Sequence, residues 1–325
     1  MMINRRHCLA TLGALAGAHA LPVWAQADFP NRPIRLLVPF AAGGAPDVLA
    51  RLITQSVTQS AGYNFVIDNR PGGNGIIATD AVAKAAADGY TLLYTTGSHT
   101  INSHVYKKLP YDVLRDFTGV TQVRTAPGVV LVVTPGLPAQ NMAEFIALAK
   151  NGKVAFGSPG VGNTLHLPGE LLNVMAGTKL LHVPYKSAAP ALNAVIGGEI
   201  QAAFLSVTAA LPPMKAGQVR ALAVTSPQRL PGLADVPTIA ESGVPGYEID
   251  GGWQGFFAPA GTPPAVVQKL SAELARAIQS PDISRRIVSD ASVPIGNTPD
   301  EFNRFVAADA QRVGKLVKAV GITID

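Results

Sequence analysis

Two stretches of this sequence carry residue types suited to holding an anion. The first is Pro39-Phe40-Ala41-Ala42-Gly43-Gly44-Ala45-Pro46-Asp47, and the second is Gly157-Ser158-Pro159-Gly160-Val161-Gly162-Asn163-Thr164. Each follows a short apolar run of strand type and leads into a helical pattern. Glycine lets the backbone come close to a ligand and present its N–H groups. The start of a helix adds unpaired N–H donors and a partial positive charge. Together they favour a carboxylate or a phosphate. A functional pair must face one another across a cleft; otherwise each loop is only a tight turn ahead of a helix.

Enzyme motifs fit poorly. The second loop lacks the Gly-Lys-Ser/Thr end of a P-loop, and its spacing misses the last glycine of the dinucleotide pattern. Ser158 is followed by Pro159, so there is no Gly-x-Ser-x-Gly elbow. Beyond the leader the histidines are His99, His104, His166 and His182, with no metal-type spacing among them. His166 lies near the start of the second helix and could serve Ser158 as a base in a secreted hydrolase. No group that would orient such a base is evident, and a structural or capping histidine is the simpler reading. The chain is therefore expected to be no enzyme and to use neither cofactor nor metal.

The elements that position these loops can be read from periodicity. Strands are expected at 34–38, 65–68, 90–95, 129–133, 154–156, 181–183, 202–205, 219–224 and 254–258. Helices are expected at 46–59, 76–87, 142–150, 164–175, 190–196, 264–279 and 299–320. The alternation implies α/β architecture with parallel strands and right-handed crossovers. The 325 residues, 48% hydrophobic and 14% charged, can fill about two cores. Lys and Arg are scattered and the net charge is only +5, which argues against nucleic acid.

The first 27 residues read as a secretion signal. Arg5-Arg6 is basic, Cys8 to Leu21 is apolar, and Ala25-Gln26-Ala27 suits a signal peptidase. The paired arginines also fit a twin-arginine signal, so general-secretory and twin-arginine export both stand. Cys8 has no lipobox before it, since Arg6 and His7 occupy the positions that need small residues. Cleavage after Ala27 would remove this single cysteine, leaving a protein without disulfides in the periplasm.

Several further stretches resemble one family. They are Asp68-Asn69-Arg70-Pro71-Gly72, Ala87 to Leu93, Val183-Pro184-Tyr185-Lys186, Arg220 to Thr225, Pro237 to Gly243 and Phe257 to Pro263. With Pro39 to Asp47 they occur in order over residues 28–325, and the ordered set is similar to the tripartite tricarboxylate transporter receptors, the Bug family. That resemblance implies a two-lobed, type II periplasmic binding protein of the Venus-flytrap kind. Residues 28–125 with 252–325 would form one lobe and 126–251 the other, with hinge crossings near Thr121–Val133 and Trp253–Ala258. It implies a monomer that holds a small organic acid between the lobes and delivers it to membrane permease subunits. Ligand-binding positions would be Phe40, Gly43, Gly44, Asp47 and Ser98 on one side. Ser158, Gly160, Gly162, Asn163, Thr164, His166, Tyr185 and Leu205 would lie on the other. The family holds the ligand carboxylate largely through backbone groups and ordered water.

Two positions depart from the family pattern. Leu205 stands where relatives carry an Asp that pairs with a ligand ammonium, and Ala194 replaces an acidic residue. The resemblance then implies a carboxylate without an α-amino group. A sensory receptor presenting the bound acid to a membrane kinase would share the fold, since function lies in surface patches.

Overall fold

Strand β1 (Ile34–Val38) buries every side chain except Arg35, as a strand covered on both faces must. The structure, a computed structural model, describes residues 29–324, so the expected leader, its cleavage site and Cys8 lie outside the described residues. From Arg32 onward the chain forms one compact unit. Two sheets organise it.

The first sheet joins β1 to β2 (Phe65–Asn69), β3 (Thr91–Thr96), β4 (Phe117–Thr125), β10 (Trp253–Pro259) and β11 (Val293–Pro294), in the order β11-β4-β10-β3-β1-β2. The second joins β5 (Val130–Val133), β6 (Ala155–Ser158), β7 (Leu181–Pro184), β8 (Ala202–Leu205) and β9 (Arg220–Val224), in the order β7-β6-β8-β5-β9. In each, three parallel strands are followed by one antiparallel strand and then another edge-side strand: β2-β1-β3 then β10, and β7-β6-β8 then β5. By this layout β1 and β6 are equivalent, and each ends in one of the glycine loops. The chain leaves the first sheet over 126–129 and returns over 225–252.

Helices cover both sheets. In chain order they are α1 (Ala45–Ala61), α2 (Ile76–Ala83), α3 (Ser98–Val105), α4 (Met142–Lys150), α5 (Leu167–Ala176), α6 (Ala188–Ile196), α7 (Val207–Lys215), α8 (Pro264–Ile278), α9 (Pro281–Val288) and α10 (Pro299–Val320). Periodicity missed α3, α7, α9, β4 and β11. The helix α3 is only two turns long and reads as polar (Ser-His-Thr-Ile-Asn-Ser-His-Val), while α7 contains Pro212 and Pro213. The helix expected from Thr164 starts at Leu167, because Asn163–His166 form a separate turn closed by the His166 N–H on the Asn163 carbonyl at 2.9 Å. No helix among the described residues is long and apolar enough to cross a membrane.

The last helix binds the two sheets together. Its start is fixed by a capping box in which Thr298 and Glu301 satisfy each other's backbone N–H groups. Phe302 and Val306 pack with Leu37, Leu93 and Phe257 of the first sheet. Two turns further on, Val313 and Val317 join Leu131 and Phe156 of the second sheet and Leu172 of α5. Ile101 and Val105 of α3 enter that same cluster. His104 anchors α3 to α10, its Nε2 lying 2.8 Å from the Ala310 carbonyl oxygen.

His99 makes the first core sensitive to acid. Its ring is buried against Tyr111, Phe117 and Phe257, and burial pushes its pKa down to about 4, the Val113 backbone opposing only in part. The unfolded chain takes up this proton near pH 6.5, whereas the folded protein resists it until about pH 4. Stability is therefore undiminished above pH 6.5 and falls by up to roughly 1.4 kcal/mol per pH unit as the pH drops through this window. Urea denaturation across pH 4–7 should show a shallower acid decline in His99→Phe than in the unmodified protein; equal slopes would refute the assignment.

Candidate functional site

The first loop is built on a carboxylate. Gly43 adopts φ +79°, a left-handed conformation that favours glycine. Its N–H donates to Asp47 Oδ2 at 2.8 Å. The same oxygen accepts from Arg51 Nε at 2.9 Å, and Oδ1 accepts from Asn69 Nδ2 at 2.8 Å. Asn69, at the end of β2, also donates to the Phe40 carbonyl at 3.0 Å. The Gly44 N–H turns back to the Ala41 carbonyl at 3.1 Å, and Pro46 fits the first turn of α1. Burial pushes the Asp47 pKa up, but the donors from Arg51, Asn69 and Gly43 outweigh it and hold the carboxyl below its usual range. Asp47 is only 1% exposed and both its oxygens are engaged, so it shapes the loop from behind. Ala41, Ala42 and Gly43 form the exposed rim.

The second loop is built on a histidine. Gly162 adopts φ +75° and donates its N–H to His166 Nδ1 at 3.1 Å. His166 Nε2 lies 3.1 Å from Glu170 Oε1. Because Nδ1 accepts, the ring proton resides on Nε2 and points to Glu170. His166 donating to Glu170 helps hold that carboxyl below the usual range despite the upward push of burial. Ser158 Oγ lies 2.6 Å from His182 Nε2, and its hydroxyl region also meets the Gly160 carbonyl at 3.0 Å and the Gly160 N–H at 3.2 Å. The His182 ring stands 3.8 Å from that of His166, and burial, followed by its neighbour His166, pushes the His182 pKa down to about 3. Tyr185 sits behind the loop, its N–H on the Ser158 carbonyl at 2.8 Å.

This geometry corrects the hydrolase couple considered above. Ser158 pairs with His182 rather than His166, whose two ring nitrogens are both committed elsewhere. Ser158 is 1% exposed, and a histidine that stays neutral down to about pH 3 is a feeble base.

The second loop meets its opposite side through Asn163 and Ser98, both expected as site residues, and through Asn74 and Asn102, which the motifs did not reveal. Asn163 Nδ2 donates to Ser98 Oγ at 3.2 Å, joining the second loop to the start of α3. Asn74 Nδ2 donates to Asn102 Oδ1 at 2.6 Å and reaches the Val161 carbonyl at 3.3 Å. Among the described residues no hydrogen bond joins the first glycine loop to the second. The bridge runs instead through Asn74, in a third glycine-rich turn, Gly72-Gly73-Asn74-Gly75, that follows β2. Gly75 lies against Pro39, which places this turn beside the first loop. Thr164 wedges against two glycines: a Cβ at Gly97 or Gly252 would stand 3.2 or 2.9 Å from its methyl group. Leu205 does not join this polar network. It is 1% exposed in an apolar cluster with Val130, Val132 and Ala203.

A cleft of about 200 Å³ opens elsewhere, lined by Thr125, Asp250, Gly252, Trp253, Phe305 and Arg312. Arg312 bridges Asp250 at 2.8 Å and Asp309 at 2.6 Å. This ion cluster spans the return segment and α10; Arg312 serves both carboxylates, and Asp309 also accepts from Thr100 and Trp253.

Two mixed α/β sheets, each presenting a glycine loop at an equivalent strand end, define a two-lobed solute-binding protein. The sequence matches the tripartite tricarboxylate transporter family receptors over residues 49–322, and the chain belongs to that family. A Pseudomonas protein from the tcbD-tcbE intergenic region is 37% identical over 97% of this chain and 94% of its own length. Protein BugT of Bordetella pertussis is 34% identical over 98% and 99%. Among solved structures, a Rhodopseudomonas palustris protein with adipate superposes with TM-score 0.85 at 38% identity, covering 91% of this chain and 99% of that one. MatC of Rhodopseudomonas palustris, with bound malate, gives 0.83 at 30% identity over 89% and 100%. The periplasmic binding protein BugD gives 0.84 at 31% over 91% and 99%.

Asp47 should prove structural as well as site-forming. Its replacement by Ala leaves the Gly43 N–H, the Asn69 amide and Arg51 without their shared acceptor. The expected cost is roughly 2–3 kcal/mol in chemical denaturation at neutral pH. Because the folded-state pKa is lowered, this stabilisation is full above the usual carboxylate range and is lost as the pH falls through and below it. A loss under about 0.5 kcal/mol would contradict the assignment.

Proposed function

We propose that this chain is a periplasmic receptor that holds a small dicarboxylate at the two glycine loops and delivers it to a membrane permease of the tripartite type. The observation that carries the reading is the junction of Asn163 with Ser98 and Asn74. It closes the second loop onto the opposite side at the ends of the parallel strands. There, helix starts and glycine backbones supply donors suited to a carboxylate. In this reading residues 28–125 with 252–325 form one lobe and 126–251 the other, and the receptor acts as a monomer.

The family relatives solved with adipate and with malate support a dicarboxylate. A ligand without an amino group follows from the family pattern, in which an Asp stands at the position of Leu205, and from the loops, whose one carboxylate, Asp47, has both oxygens engaged. A buried ammonium without a partner costs several kcal/mol. Calorimetry should therefore show adipate and succinate binding, with aspartate at least about tenfold weaker than succinate, a difference of about 1.4 kcal/mol. Tighter binding of aspartate would overturn the ligand class, and so would a protein that binds neither adipate nor succinate.

A further inference from the structure

The two loops share a spacing that their sequences do not advertise. In the first, Gly43 donates its N–H to Asp47, and Asp47 is held by Arg51. In the second, Gly162 donates its N–H to His166, and His166 is held by Glu170. Both run glycine, acceptor, partner at intervals of four residues. Both glycines are left-handed, at φ +79° and +75°, and both follow equivalent strands in sheets of the same layout. The side chains differ entirely: an anion clamped by a cation in one case, an imidazole clamped by an anion in the other.

We propose that His166 is a positioning residue, the counterpart of Asp47, which with Glu170 behind it sets the second loop for binding by taking the Gly162 N–H. This rests on the reading that the glycine loops hold the ligand, and it deepens that reading by assigning work within the loop. Glu170 decides which nitrogen carries the proton. With the Nε2–H turned to Glu170, Nδ1 is a bare acceptor for Gly162; the other tautomer would set two N–H groups against each other. The ring itself is held in place, 2% exposed and stacked on Phe156 at an interplanar angle of 9°.

The consequence is a division of the loop's donors. Gly160 is spent on Ser158, Gly162 on His166 and Asn163 on the Gly160 carbonyl, while Pro159 has no N–H. Among the described residues no protein group accepts from the amides of Val161 and Thr164, which are left for the ligand carboxylate. His166 therefore works from behind the loop and does not touch the ligand.

The test uses the unliganded protein first, so that it does not depend on the ligand's identity. Nitrogen-15 spectra of the histidines should show His166 as the Nε2–H tautomer, and Glu170→Leu should turn it into a mixture, with Glu170→Gln restoring it. In His166→Phe, which keeps a ring against Phe156 but offers no acceptor, the Gly162 amide should exchange about tenfold faster. His166→Asn, whose side-chain oxygen falls near the Nδ1 position, should bring exchange back toward the unmodified rate. Amides of β5 and β8 should not change. An Nδ1–H tautomer in the unmodified protein, or a Gly162 amide indifferent to His166→Phe, would overturn the proposal. If His166→Phe does not fold, the tautomer series at Glu170 decides alone. Adipate affinity should follow the same order of variants. An unmodified protein that binds no dicarboxylate would overturn the ligand class of the preceding section, while the exchange and tautomer data would still judge the brace.

Discussion

A left-handed glycine at a strand end must place its N–H somewhere, and in this protein the placement fixes the site. At buried Gly162 an N–H without an acceptor would cost free energy comparable to a lost hydrogen bond, and at exposed Gly43 an acceptor is what holds the loop in one form. Both loops meet that demand with one side chain at the start of the following helix: Asp47, in the first turn of α1, for Gly43, and His166, the residue just before α5, for Gly162. The acceptor ties the loop to the helix start, and a second residue one turn on fixes the acceptor. The glycines supply the shape, while the helix residues keep it in one form. The remaining backbone donors at the helix starts then keep a constant position, as recognition of a small anion requires.

The larger architecture brings these two braced loops together. Apolar contacts from α3 and the second half of α10 run into the core of the second sheet, while the first half of α10 packs on the first. One helix therefore takes part in both cores. Thr164 extends this packing into the second glycine loop, because its methyl group fits only where Gly97 and Gly252 have no side chain. Gly252 lies in the segment that returns the chain to the first sheet, and the Asp250–Arg312–Asp309 ion cluster borders it. Loop, return segment and α10 are thus in direct mechanical contact.

Much of this was legible in the sequence. The strands around both glycine loops and the helices of the outer layers follow from apolar periodicity, because each must bury one face or both. The loops themselves were marked by glycine, proline and their place between a strand and a helix. What escaped has physical reasons. The helix α3 carries buried polar residues, Ser98, His99, Thr100 and Asn102, and so shows no apolar stripe; Ser98, Thr100 and Asn102 bond to residues far along the chain. Asn74 and Asn102 matter only through contacts across the fold. Asp47 and His166 were read as facing the ligand, but their partners Arg51 and Glu170 turn them into supports. That spacing of four, repeated in both loops, was visible all along; only the hydrogen bonds give it meaning. The family resemblance, resting on ordered motifs across the whole chain, is shown by the match over residues 49–322.

The central claim is that a dicarboxylate is held at the braced glycine loops. A crystal structure of the protein soaked with adipate at several concentrations tests it most directly. The account predicts one carboxylate within hydrogen-bonding distance of the Val161 and Thr164 amides, with Asp47 and His166 still bound to Gly43 and Gly162. Adipate bound instead in the cleft beside Trp253 and Arg312, or a carboxylate bonded directly to the His166 ring, would contradict it.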